Sequence, residues 1–225
     1  MNGIIQIAGI IDQEEADMLV DAGVNRLGFP FGLAVREEDI TDENASKIIR
    51  SLKPPASAVL ITYLNTAHEI LDFCKRIGAC SVQLHGLVEV PEIIRLKSLA
   101  PYLTITKSLI VRNHNFAMLE SSVFIFSPYV DAFMTDTYDP VTGACGATGK
   151  THDWDVSRRL VEMSPKPVML AGGLNPENVR RAIVNVKPAG VDAHTGVEGG
   201  DGRKNPELVR AFVGEVLSAF SDLHH

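Results

Sequence analysis

The chain is poor in cysteine, carries no excess of positive charge, and contains no apolar run long enough to cross a bilayer. Its three cysteines, Cys74, Cys80 and Cys145, follow no metal-ligand spacing and form no even-numbered set. That excludes a disulfide framework and fits ordinary thiols in a reducing cytoplasm. With 21 basic against 28 acidic residues the formal net charge is −7. A polyanion is repelled at long range, so nucleic acid is not expected as a partner, although a local basic pocket for a small anion stays open. No charged segment followed by a signal-length apolar run opens the chain, so no export and no membrane partner are expected. The pair His224-His225 reads as a tag remnant.

What is present is 225 residues with 45% hydrophobic content, enough for one full core, and residues 1–225 read as one domain. Strand-like and helix-like patterns alternate with little left over. Strands are expected at 4–8, 26–29, 58–61, 81–84, 105–109, 132–135, 168–171 and 191–194. Helices are expected at 14–22, 41–52, 66–77, 91–99, 116–121, 154–163, 176–185 and 206–220. The strands are apolar without strict alternation, as in a parallel sheet covered on both faces. Eight such units favour closure into a single-domain (β/α)8 TIM barrel, in which chemistry belongs at the C-terminal ends of the strands.

Two late apolar runs end in glycine-bearing turns, Val168-Met-Leu-Ala-Gly-Gly-Leu174 and Gly190-Val-Asp-Ala-His-Thr-Gly-Val-Glu198. Phosphate needs several backbone N–H groups at close range, which glycine permits. In a barrel the loops after strands seven and eight supply such a cradle. Gly172, Gly173, Thr195, Gly196 and Val197 are therefore the expected phosphate contacts, and Gly149, beside Lys150 in the preceding loop, is expected to join them. A doubly wound fold would carry its glycine-rich turn after the first strand, where Gln6-Ile7-Ala8-Gly9 offers a single glycine.

Further motifs occur in order: Gln83-Leu84-His85-Gly86, Asp136, Gly146-Ala147-Thr148-Gly149-Lys150 with Asp153-Trp154, Leu170 through Val179, and Gly190-Val191-Asp192 through Glu198. From end to end this series resembles phosphoribosylanthranilate isomerase. The resemblance implies a cytoplasmic enzyme of tryptophan biosynthesis performing an Amadori rearrangement, which opens the ribose ring of a phosphoribosylated aromatic amine and moves a proton from C2 to yield a ketose. It implies no metal and no organic cofactor, and a small phosphorylated molecule as the only partner. Oligomeric state leaves no mark in the sequence.

The chemistry asks for an acid at the ring oxygen, a base at C2, and anchors for phosphate and carboxylate. Asp136 matches the family's general acid, a role that requires burial or nearby negative charge to keep the carboxyl protonated. Asp136-Thr-Tyr-Asp-Pro140 is also rich in turn formers, so an Asx turn or helix cap is the competing reading. The base departs from the family, whose first strand usually ends Lys-Ile-Cys-Gly: the cysteine's place is taken by Ala8, which has no titratable atom. His194, where the family has a small polar residue, is the first candidate to replace it. It competes with a structural histidine or a phosphate donor at the same place. His85 belongs to the family's own pattern, and a loop thiol at Cys145 is the third candidate.

Arg36 matches the family's carboxylate-gripping arginine, although Ala34-Val35 replaces Ser-Pro before it. With His85, Lys150 and Asp192 it makes up the expected substrate-binding set. The segment from Ala144 to Thr151 nearly fits a nucleotide P-loop, but its first glycine is missing. It reads instead as a lid in which Lys150 contacts phosphate as a point charge, or as a surface turn. Three functions remain: the isomerase, a related barrel enzyme acting on a different phosphorylated substrate, and a non-catalytic phospholigand-binding protein that lost turnover with the cysteine.

Overall fold

The computed structural model describes residues 3–32, 39–138, 149 and 151–223. Eight strands alternate with eight helices. They run β1 (Ile4–Ala8), α1 (Gln13–Asp21), β2 (Arg26–Phe31), α2 (Asp42–Ser51), β3 (Ser57–Thr62), α3 (Ala67–Ile77), β4 (Ser81–Leu84) and α4 (Val90–Leu99). The second half comprises β5 (Thr104–Val111), α5 (Phe116–Phe126), β6 (Ala132–Thr137), α6 (Trp154–Met163), β7 (Val168–Leu170), α7 (Val179–Val186), β8 (Gly190–Ala193) and α8 (Pro206–Asp222). Every neighbouring pair of strands is parallel, and β8 closes on β1. The expected (β/α)8 barrel is the fold.

Local chemistry sets the helix ends. Asp12, Thr41 and Thr66 each accept the N–H three residues on, and Asn205 accepts those of Glu207 and Leu208, satisfying donors that the first turn leaves free. Gly78 ends α3 in the left-handed conformation at φ 84°. Several boundaries depart from expectation. β5 runs on to Val111 because its ladder with β6 continues to the pair Val111–Thr137. α5 continues to Phe126, its sequence being apolar on most sides. α7 starts at Val179 rather than Pro176, because Asn175 accepts from the N–H groups of Glu177 and Asn178 and holds them in a turn.

Strand periodicity divides the apolar residues between two cores. Ile5, Ile7, Leu60, Phe133, Leu170, Val191 and Ala193 point outward into the layer shared with the helices. Inside the barrel, Met134, Met169 and Ala171 pack together, and Ala8 packs with Val59 and Ile61. Between these small clusters the interior is polar. Gln6 Nε2 donates to Gln83 Oε1 at 3.0 Å and Gln83 Nε2 to Ser108 Oγ at 3.2 Å, with His85 Nδ1 3.0 Å from the same hydroxyl. This chain crosses the barrel from β1 to β5 beneath the strand ends.

Candidate active site

At the C-terminal mouth, the loops after β6, β7 and β8 converge on one cleft lined by Asp136, Gly149, Gly172, Gly173, Asp192, His194, Thr195 and Gly196. Gly196 is required by packing: a Cβ there would overlap the Leu174 carbonyl of the neighbouring loop. Thr195–Val197 form a 3-10 turn in which Val197 is buried beneath the cleft. The N–H groups of Gly172 and Gly173 meet no acceptor among the described residues. Asn178 Nδ2 donates to the Gly173 carbonyl at 2.9 Å, fixing the loop that presents them.

Asp136 lies inside β6, one residue before its end, and is buried. Loss of water pushes its carboxyl up to about 7, against a 2.7 Å hydrogen bond from the Thr137 N–H that favours ionisation. The turn-former reading of this aspartate is thereby corrected: its backbone is strand, paired with Ile110 of β5. Asp192 of β8 faces the same interior. Burial first, and then the negative charge of Asp136, push it well above the ordinary carboxyl range, opposed by Gln6, Lys204 and Arg26. Its Oδ1 is buried without a hydrogen-bond partner among the described residues.

Ala8 ends β1, buried and inward. The β1–β8 register pairs Gln6 with Asp192 and Ile7 with Ala193, so His194 is the next residue beside Ala8. It is not strand, as the alternating pattern had placed it: β8 stops at Ala193, and His194, at φ −129° and ψ −87°, turns into the 3-10 segment. Its ring leans across to β1. A Cβ on Gly9 would collide with Nε2 and lie 2.7 Å from Cε1, so glycine at φ 79° leaves the room that the imidazole occupies.

His85 stands apart from that cleft. It bonds Ser108, stacks edge-on to Tyr63 at 4.9 Å between ring centroids, and belongs to the polar chain within the barrel. Arg36, Lys150 and Cys145 lie outside the described residues. Among the described residues no group of three His, Cys, Asp or Glu side chains is placed to hold a metal.

Four side chains at or near the site carried no role in the sequence reading. Glu198 sits 3.3 Å from His194 Nε2 and 2.7 Å from Lys204 Nζ through the same oxygen. Burial opposes its ionisation, but hydrogen bonds from His194 and Lys204, with the charge of Lys204, draw it down to about 2. Arg26 reaches 3.7 Å from Met169 Sδ inside the barrel, below Asp192. His152 spans Thr137 Oγ1 at 2.8 Å and Ser157 Oγ at 2.6 Å, and burial lowers it to about 4. The four-residue spacing from His194 to Glu198 was the one readable signal among these.

Known proteins match this chain in both sequence and fold. Residues 5–215 match the family model described as N-(5'phosphoribosyl)anthranilate (PRA) isomerase. N-(5'-phosphoribosyl)anthranilate isomerase 2 of Methanosarcina mazei is 38% identical over 221 residues, covering 96% of this chain and 95% of its own. The isomerase from Pyrococcus furiosus superposes with a TM-score of 0.79 at 26% identity, over 96% of this chain and 99% of the other. A phosphoribosyl anthranilate isomerase in complex with reduced 1-(o-carboxyphenylamino)-1-deoxyribulose 5-phosphate gives 0.78 at 25% identity, covering 95% and 98%.

Proposed function

The chain belongs to the N-(5'-phosphoribosyl)anthranilate isomerase family, and from that membership we propose how its own residues carry the family reaction without a first-strand cysteine. It is an isomerase of tryptophan biosynthesis, converting N-(5-phosphoribosyl)anthranilate to the 1-deoxyribulose 5-phosphate product. The observation that carries this reading is Asp136, a buried carboxyl at about 7 in the cleft where the glycine loops meet.

Asp136 is the acid. At neutral pH a carboxyl at about 7 is partly protonated, so it can give a proton to the ribose ring oxygen as the C1–O bond breaks and the amine lone pair forms an iminium. The base then removes the C2 proton to give an enolamine, which becomes the ketose by protonation at C1 and loss of the 2-hydroxyl proton. His194 takes the C2 proton, a role supported by its position beside Ala8 and on the same cleft. The open N–H groups of Gly172 and Gly173, with Gly149, Thr195, Gly196 and Val197, serve the phosphate. Asp192, with an oxygen that has no partner among the described residues, serves a polar group of the sugar or the amine. Arg36 serves the carboxylate, Lys150 the phosphate and His85 the floor of the substrate site. No described helix is long and apolar enough to cross a membrane, and a biosynthetic role accords with a cytoplasmic location.

Complementation of a tryptophan auxotroph lacking this isomerase tests the reading, alongside direct turnover of N-(5-phosphoribosyl)anthranilate. Growth with measurable turnover is expected. Tight binding of the phosphorylated substrate without turnover would instead select the non-catalytic alternative.

A further inference from the structure

We propose that Glu198 is the positioning residue of His194, holding the imidazole by Nε2 so that Nδ1 remains the proton acceptor. This rests on the reading of His194 as the base. A neutral imidazole has one N–H and one lone pair, and whichever nitrogen faces a fixed carboxylate keeps the proton. Glu198 Oε1 lies 3.3 Å from Nε2, and His194 Nδ1 has no partner among the described residues. Contacts of this kind are often long in an unliganded site and shorten when substrate is bound.

Glu198 is unusually well held for such a role. It pairs with Lys204 in an antiparallel backbone bridge, and the same oxygen that faces His194 takes Lys204 Nζ at 2.7 Å. Lys204 is itself buried, and its N–H donates at 2.7 Å to Glu15 Oε1 of α1. The other oxygen of Glu15 accepts the Ile11 N–H at 3.1 Å, just beyond Gly9. One buried carboxylate thus ties the loop carrying Glu198 to the loop that makes room for the imidazole. Lys204 also balances the charge of Glu198, so the ring is oriented without an uncompensated negative charge beside it.

The test uses the intact enzyme labelled with 15N in its histidine rings, with His194→Gln to assign the resonance, and turnover of N-(5-phosphoribosyl)anthranilate. Wild type should show His194 as the Nε2–H tautomer. Glu198→Met combined with Lys204→Met removes both charges together and leaves no buried ion unpaired. That variant should lose the single tautomer and about 10- to 100-fold in kcat with KM within about threefold, the scale of an orienting partner's loss. Turnover and tautomer both unchanged in the double variant would overturn the proposal. Should that variant not fold, an Nδ1–H tautomer in wild type would overturn it instead. His194→Ala separates the two readings: activity that survives it removes the base itself, whereas activity lost in His194→Ala but kept in the double variant removes only Glu198.

Discussion

Asp136 on β6 and Asp192 on β8 are buried carboxyls facing one barrel interior, and ionisation of Asp136 is part of what pushes Asp192 above the ordinary range. Two such groups avoid carrying charge together, which keeps a transferable proton in the cleft near neutral pH. Arg26 and Lys204 offset only part of this effect at Asp192. The cleft therefore holds a proton of the kind that the acid role proposed for Asp136 requires.

Replacing Asp136 by Asn should lower kcat about 10²–10⁴-fold with little change in affinity, since shape is preserved and the transferable proton lost. Stability should move the other way. The folded-state value of about 7 exceeds the ordinary 3.8, so the contribution of Asp136 to stability is complete below about pH 4 and is lost as pH rises through 7. Asp136→Asn lacks that loss. Its Tm should exceed wild type by more at pH 8 than at pH 5, and an equal difference at both would show that the carboxyl is not held up by burial.

The proposed phosphate mouth depends on two backbones in contact. Gly196→Ala would press its Cβ into the Leu174 carbonyl, separating the loops after β7 and β8. Inhibition by inorganic phosphate and KM for substrate should both weaken by about tenfold or more, each tenfold step being about 1.4 kcal/mol of binding. Gly200→Ala, where a Cβ meets nothing within 4 Å, is the control and should leave both unchanged. Equal inhibition constants in the two variants would move the phosphate elsewhere.

His152 predicts an acid-side effect. It is neutral when folded, its value lowered to about 4 from 6.5, so its contribution to stability is present above about pH 6.5 and is lost as pH falls towards 4. The ring ties β6 to α6 through Thr137 and Ser157. His152→Gln should flatten the fall in Tm between pH 6.5 and 4.5. Denaturation curves of the two proteins that stay parallel across that range would refute the buried neutral ring.

The barrel and the phosphate loops were readable because their signals are local. Pro91 marks a helix start and Gly78 and the Gly172-Gly173 pair mark turns within a few residues of themselves, and each apolar run needs only its own composition to be read as a strand. The surroundings of His194 were not local. Its angle to Ala8 depends on where β8 stops, and the contacts that hold it run through Lys204 to Glu15, which lies 189 residues before Lys204 in sequence. The hydrogen-bonded floor formed by Gln6, Gln83 and Ser108 was hidden for the same reason, since its members lie on three different strands, 77 and 25 residues apart. Asp136 was recognised by motif, but the burial that suits it to acid chemistry is a property of the closed barrel.

The exchange at the end of β1 yields the most direct test. His194 stands beside Ala8 with its ring over Gly9, so it can take the place of a thiol projecting from residue 8. If it is the base, His194→Ala should abolish turnover, about 10²-fold or more. Ala8→Cys should then restore activity to His194→Ala and raise it in wild type, because it returns a thiol to the end of β1 and a polar cleft assists thiol ionisation. The four proteins, wild type, both single variants and the double variant, are assayed on N-(5-phosphoribosyl)anthranilate. Turnover that survives His194→Ala unchanged rules out the histidine. Turnover that His194→Ala removes and Ala8→Cys does not return means that C2 lies nearer the imidazole than the first strand, since placement against the base matters as much as the base itself. Absence of turnover in all four would shift the substrate to another phosphorylated aromatic amine or sugar, bound by the same glycine loops.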